Sequence, residues 1–205
     1  MLFRSNTSSS KVLVEHSTLR ATGLVKVAAT GDSNQRASSS GLAVGIVAIG
    51  SNTARAVSTV TTTALVRDLS TASNGFVAGA VTVAATGTDV NYAEAEAGSG
   101  GVVAGSAARA ETTTTSTTRA AIETSAAGQR YTVAAAHGLV TINALHTARF
   151  GGSVDSTQAS LAGKSGATLV HTVTADVDAH LGDYARLRAA DLSINAKNIT
   201  QNFFL

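Results

Sequence analysis

The chain of 205 residues has no proline, no cysteine and no tryptophan, and it is poor in charges (14%) and in aromatic rings (4%). Without cysteine it can form neither a disulfide nor a thiolate-bound zinc site, so stability must come from packing and backbone hydrogen bonds. A formal net charge of +2, with arginines scattered singly, excludes the basic footprint of a nucleic-acid binder. The longest apolar run, Leu42-Ala-Val-Gly-Ile-Val-Ala-Ile49, is too short and too broken by glycine to span a bilayer as a helix, so no membrane insertion is expected. The first ten residues, Met1-Leu-Phe-Arg-Ser-Asn-Thr-Ser-Ser-Ser10, lack the apolar core of a signal peptide. What remains is mostly Ala, Thr, Ser, Val and Gly. Disordered chains poor in apolar bulk usually carry high charge, Pro, Gln and Glu instead, and Val and Thr alternating with Ala favour ordered β-structure.

The alternation is clearest over residues 108–123, Ala108-Arg-Ala-Glu-Thr-Thr-Thr-Thr-Ser-Thr-Thr-Arg-Ala-Ala-Ile-Glu123. Ala108, Ala110, Thr112, Thr114, Ser116, Thr118, Ala120 and Ile122 are small or apolar, while Arg109, Glu111, Arg119 and Glu123 fall on the other parity. A period of two describes one long strand with a thin inward face and a charged outward face. Residues 54–67 and 167–181 repeat the pattern: Ala54, Ala56, Ser58, Val60, Thr62, Ala64 and Val66 face in, as do Ala167, Leu169, Val173, Ala175, Val177, Ala179 and Leu181. A helix would mix Arg and Glu into the apolar stripe.

These strands recur in a longer period. Val25-Lys-Val-Ala-Ala-Thr-Gly31 returns 56 positions later as Val81-Thr-Val-Ala-Ala-Thr-Gly87. Val140-Thr-Ile-Asn-Ala144 follows after 59 and Leu192-Ser-Ile-Asn-Ala196 after 52. Gly-rich patches at Gly41-Leu-Ala-Val-Gly45, Gly101-Val-Val-Ala-Gly105 and Ser160-Leu-Ala-Gly163 keep the order, and Ala54, Ala108 and Ala167 serve as register marks for the long strands. On these marks the first copy carries extra residues, 46–51, between patch and strand. Units with one thin apolar face bury it by stacking. The expected fold is therefore all-β, a right-handed parallel β-solenoid with broad coils and a repeat of about 56 residues, one repeat per coil, with two smaller coils per repeat as the alternative. Residues 1–18 form a lead-in; residues 19–74, 75–133, 134–185 and a partial 186–205 form one domain of tandem repeats. An antiparallel sandwich is the competing architecture. The repeat disfavours it, as does the scarcity of tight hairpin signals apart from Asn74-Gly75.

Little in the sequence points to chemistry: no catalytic, cofactor-binding or metal-binding residue is assigned, and the chain is not expected to be an enzyme. His146, His171 and His180 cluster in sequence with Asp176 and Asp178, but Asp176, Asp178 and His180 form a row on one outward face rather than a closed metal shell. His171 falls on the inward parity, aligned with Ser58 and Thr112, as a neutral hydrogen-bonded histidine. Gly98-Ser-Gly-Gly-Val-Val103 lacks the Asp of calcium-binding nonapeptides and reads as a corner. Thr113, Thr115 and Thr117 stand outward beside Thr59, Thr61 and Thr63, an array broken by Arg109, Glu111 and Arg119. A polysaccharide-acting site would need paired carboxylates and aromatic platforms.

The Val-x-Val-x-Ala strands, the run Tyr92-Ala-Glu-Ala-Glu-Ala97, the stretch Gly98-Ser-Gly-Gly-Val-Val-Ala-Gly105 and the Thr-rich strands resemble the repeat region of large bacterial filamentous adhesins, leukotoxin-type and filamentous-haemagglutinin-like surface proteins. The resemblance covers roughly residues 19–202. It implies a non-enzymatic stalk segment supporting cell adhesion, extracellular or on the cell surface, cut from a longer chain whose secretion signal lies elsewhere. A glycan- or matrix-binding solenoid is the alternative. Expected partners are neighbouring repeats or copies of the chain end to end, with host or matrix glycan under the alternative. The polar residues 4–11 would shield one end, and Phe203-Phe204-Leu205 would pack on a following repeat.

Overall fold

A computed structural model describes residues 1–67, 69, 76–124, 131–135, 138–183 and 185–203. All regular structure among them is β-strand: β1 (Leu2–Glu15), β2 (Leu19–Arg20), β3 (Leu24–Val44), β4 (Val47–Arg67), β5 (Phe76–Ala78), β6 (Ala80–Glu123), β7 (Tyr131–Ala135), β8 (Leu139–Leu181), β9 (Ala185–Arg188) and β10 (Asp191–Asn202). Every pairing among the described residues is parallel. This all-β arrangement is compatible with a β-solenoid, and the antiparallel sandwich is absent from it.

The long strands form two walls that are hydrogen-bonded as one sheet. The first wall holds β3, residues 80–100 of β6, residues 139–161 of β8 and β10. The second holds β1, β4, residues 103–123 of β6 and residues 162–181 of β8. Asn91 in the first wall donates to Ser58 and Thr114 in the second, so the halves of β6 face each other across the interior. The chain bends between the walls at the Gly-rich stretch, where Gly45 N–H reaches Gly100 O at 3.0 Å. Gly101 is required there, since a Cβ would lie 2.0 Å from Gly45 O. The short strands β2, β5, β7 and β9 make a second sheet. Each 21-residue limb such as β4 is about 70 Å of extended chain at ~3.3 Å per residue, longer than 15-residue strands would give.

The register pairs the stretches matched in the sequence. Val25 pairs with Val81, Val81 with Val140, and Leu192 with Val140. Alternation also holds: Ala108 through Ile122 on the even parity are all buried. In residues 167–181 the inward side chains are at most partly covered, because among the described residues no further strand pairs beyond them.

Four expectations are corrected. Ala54 pairs with Ala110, not Ala108, although Ala108 does pair with Ala167. Consequently there are no extra residues at 46–51: Val44 pairs with Gly100 and Val47 with Val103, at one offset on both sides of the bend. Residues 1–18 are no lead-in, since all of β1 pairs with β4. Phe203 folds back onto the chain instead of waiting for a following repeat. Its ring stacks on Tyr92 with centroids 6.3 Å apart, over the space left by Gly151. The Asn74-Gly75 signal, Phe204 and Leu205 lie outside the described residues.

Candidate functional site

Along the interior, two apolar clusters flank a polar band. One cluster is built on Val27, Val66, Val81, Val83, Ile122, Val140 and Ile142, the other on alanines such as Ala37, Ala54, Ala95 and Ala110. Between them Ser58, Thr62, Asp89, Asn91, Thr114, Ser116, Thr118 and His146 are all buried. The last residue of the Val-x-Val-Ala-Ala-Thr-Gly motif explains how the band fits. Gly31 and Gly87 are inward-facing neighbours, and His146 follows them in the next layer. A Cβ at Gly87 would sit 2.7 Å from Thr118 Oγ1 and 2.9 Å from His146 Nδ1, so the missing side chain makes room for both.

His146 is the most chemically distinctive group in the band. Its Nε2 lies 3.3 Å from Asp89 Oδ2, its Nδ1 lies 3.4 Å from Thr118 Oγ1, and Ser116 donates to the same Asp89 oxygen through a short contact. Ser, His and Asp together suggest acyl-transfer chemistry, yet the geometry argues against it. Ser116 donates to Asp89 rather than to His146, and His146 and Asp89 are wholly buried, so no substrate can reach them. Burial pushes the His146 pKa below its ordinary value, and the Asp89 carboxylate only partly opposes this. These residues tie the walls together through hydrogen bonds.

The histidines that are close in sequence are separated in space. His171, on the inward side as expected, hydrogen-bonds Thr112 Oγ1 through Nδ1 at 2.7 Å and leans on Phe150 with centroids 4.7 Å apart. It aligns with Thr112, while Ser58 belongs two positions further, beside Thr114. Burial lowers its pKa too. His180 stands outward, with Nδ1 2.8 Å from Asp178 Oδ2 and Nε2 3.4 Å from Glu123 Oε2. The guanidinium of Arg119 fills the centre of that cluster, 2.5 Å from Glu123 and 3.3 Å from Asp178. It holds the carboxylates a metal ion would need, and Asp176 instead pairs with Thr117 further along the strand. Among the described residues no group of three or more His, Asp or Glu is placed to hold a metal.

The outer face of the second wall carries the threonines. Thr7, Thr59, Thr115 and Thr174 form one column across four strands. Beside it Ser9, Thr61 and Thr117 end in Asp176, and Thr113 follows Val57, two positions from the partner the sequence marks give it. Arg55 and Arg109 converge on Glu111, closing one side of this surface. A recess of about 770 Å³ is lined by Leu181, Leu187, Ala189 and Leu192 at the last layer.

No family model, curated protein or solved structure matches this chain.

Proposed function

We propose that the chain is a segment of rigid stalk, a right-handed parallel β-solenoid with a repeat of about 56 residues, from a secreted or surface-displayed filamentous adhesin. The observation that carries this reading is the parallel pairing of each long limb with its counterpart 52 to 59 positions away. Such pairing leaves β3 and β10 as open edges of the first wall, and β1 and the end of β8 as open edges of the second. A chain that pairs only with its own neighbouring layers extends by adding layers, about 4.8 Å for each. Right-handedness follows from the strong preference of parallel crossovers within one sheet. The interior, filled by Val, Ile and Ala with a closed band of buried Ser, Thr, Asp and His between them, supports a load-bearing role over a catalytic one.

Open parallel edges at both ends favour end-to-end association. Sedimentation of the purified chain over a wide concentration range is expected to show growing species, and electron microscopy to show rods. A species that stays monomeric at every concentration counts against the stalk. The threonine columns favour a second reading, in which the outer face binds glycan or matrix. Saturable binding on a glycan array, lost on replacing Thr59 and Thr115 with Lys, would favour that reading.

A further inference from the structure

The outside of the bend between the two walls is apolar. Ile46, Val102 and Leu161 occupy one position in three successive layers and are 80%, 52% and 89% exposed. Ile46 O accepts the Val102 N–H at 3.1 Å, which fixes this alignment. Val44, Val47 and Val103 widen the ridge. Scattered exposed apolar residues are ordinary, but a contiguous column marks an interaction surface.

The two flanks of the ridge differ in charge. On the first wall Glu96 pairs in register with Asp155, and they line a recess of about 420 Å³ with Ser40 and Thr157. On the second wall Lys164 borders an apolar groove of about 290 Å³ lined by Val47, Ile49 and Val103. Further out, Arg36 is matched by Glu94, whereas Arg55 and Arg109 share Glu111. One flank is therefore left with excess negative charge and the other with excess positive charge.

We propose that this ridge is a lateral contact between two copies of the chain, lying side by side and parallel. A two-fold axis along the direction of layer stacking places the acidic flank of each copy against the basic flank of the other, with Lys164 facing Asp155. A two-fold axis across the ridge would oppose like charges. A lipid surface would need basic residues on both flanks, and the acidic side would be repelled. The contact is small: three layers at ~4.8 Å make a ridge about 14 Å tall, short of the ~800 Å² per partner of a stable interface. Pairing is thus weak in this chain and strengthens with each added layer.

The absence of cysteine makes a direct test possible. In the full chain, Ile46→Cys, Leu161→Cys and, as reference, Thr115→Cys each introduce a single thiol. The parallel pair brings Ile46 to its own counterpart, so mild oxidation should link Ile46→Cys to itself about tenfold faster than Thr115→Cys, through raised local concentration. Adding Lys164→Glu should remove most of that advantage, and adding Asp155→Lys as well should restore it by swapping both flanks. End-to-end stacking separates equivalent thiols by at least the height of the stack, so failure of the stalk reading and failure of this one are distinguishable. Linking of Ile46→Cys no faster than the reference, or faster linking of Ile46→Cys to Leu161→Cys than to itself, overturns the proposal.

Discussion

The two ends of the long walls alternate with the same period and pack in opposite ways. Towards the short-strand sheet buried Val, Ile and Leu69 share the interior with alanines such as Ala64 and Ala120. Towards the bend the clustered apolar side chains that are fully buried are all alanine, beside buried Ser99, Ser106 and Thr112, and large apolar side chains such as Leu42, Ile46 and Leu161 stand outside. Since interiors are close-packed, the walls must lie further apart at the first end than at the second. Alternation therefore states which residues point inward, while side-chain volume states how far away the opposite wall is.

The sharpest way to break this comparison is to exchange volumes. Ile142 is completely buried at the wide end, and Ile142→Ala is expected to cost about 2–5 kcal/mol through lost burial and a residual cavity. Ala95, equally buried at the narrow end, should respond in the other direction. Ala95→Val adds apolar bulk yet is expected to cost about 1–3 kcal/mol by overpacking. Urea unfolding measures both, and a stabilising Ala95→Val would show that the walls have slack near the bend.

How much of this was legible in the sequence follows from the same period. Parity is unambiguous, so the inward set in residues 54–67 and 108–123 can be read directly. Register is not, because a slip of two positions leaves every side chain on its face; only a slip of one moves them. Ala54 thus matches Ala108 or Ala110 equally well by pattern. The asymmetric motif at Val25 and Val81 has no such degeneracy, and its 56-position spacing is the one the whole layer follows. β1 was also within reach: Val12-Leu-Val14 pairs with Ala64-Leu-Val66, but its serines hide the likeness. The 3.3 Å contact between Asp89 and His146 was out of reach, since it joins neighbouring layers through the space above Gly87 and no local pattern encodes that.

The polar band separates the two ends, and pH probes it. Unfolded histidine takes up a proton near 6.5, whereas burial keeps His146 neutral to lower pH despite Asp89. Between those two pKa values the unfolded state binds more protons, so the fold loses stability as pH falls from about 6.5. Half-buried His171 acts in the same sense. Thermal melts between neutral and mildly acid pH are expected to show Tm falling, with a shallower fall in His146→Gln. An unchanged slope in that variant would assign the effect to other groups.

The smallest effect separates inside from outside within one strand. Thr114 and Thr115 are adjacent, but Thr114 is buried and accepts Asn91 Nδ2 at 2.6 Å, while Thr115 is exposed in the outer column. Thr114→Val keeps the shape and removes that acceptor. Asn91 retains Ser58 at 2.8 Å, so the cost is one hydrogen bond of about 1 kcal/mol. Thr115→Val removes nothing the interior uses and keeps a β-branched residue, so it should fall within ~0.5 kcal/mol of the parent. If the two variants melt alike, either the Asn91 bond contributes nothing net or the outer column carries a structural role. Comparing Thr114→Val in an Asn91→Ala background decides between these, because only the first case leaves the Thr114 effect unchanged when Asn91 is gone.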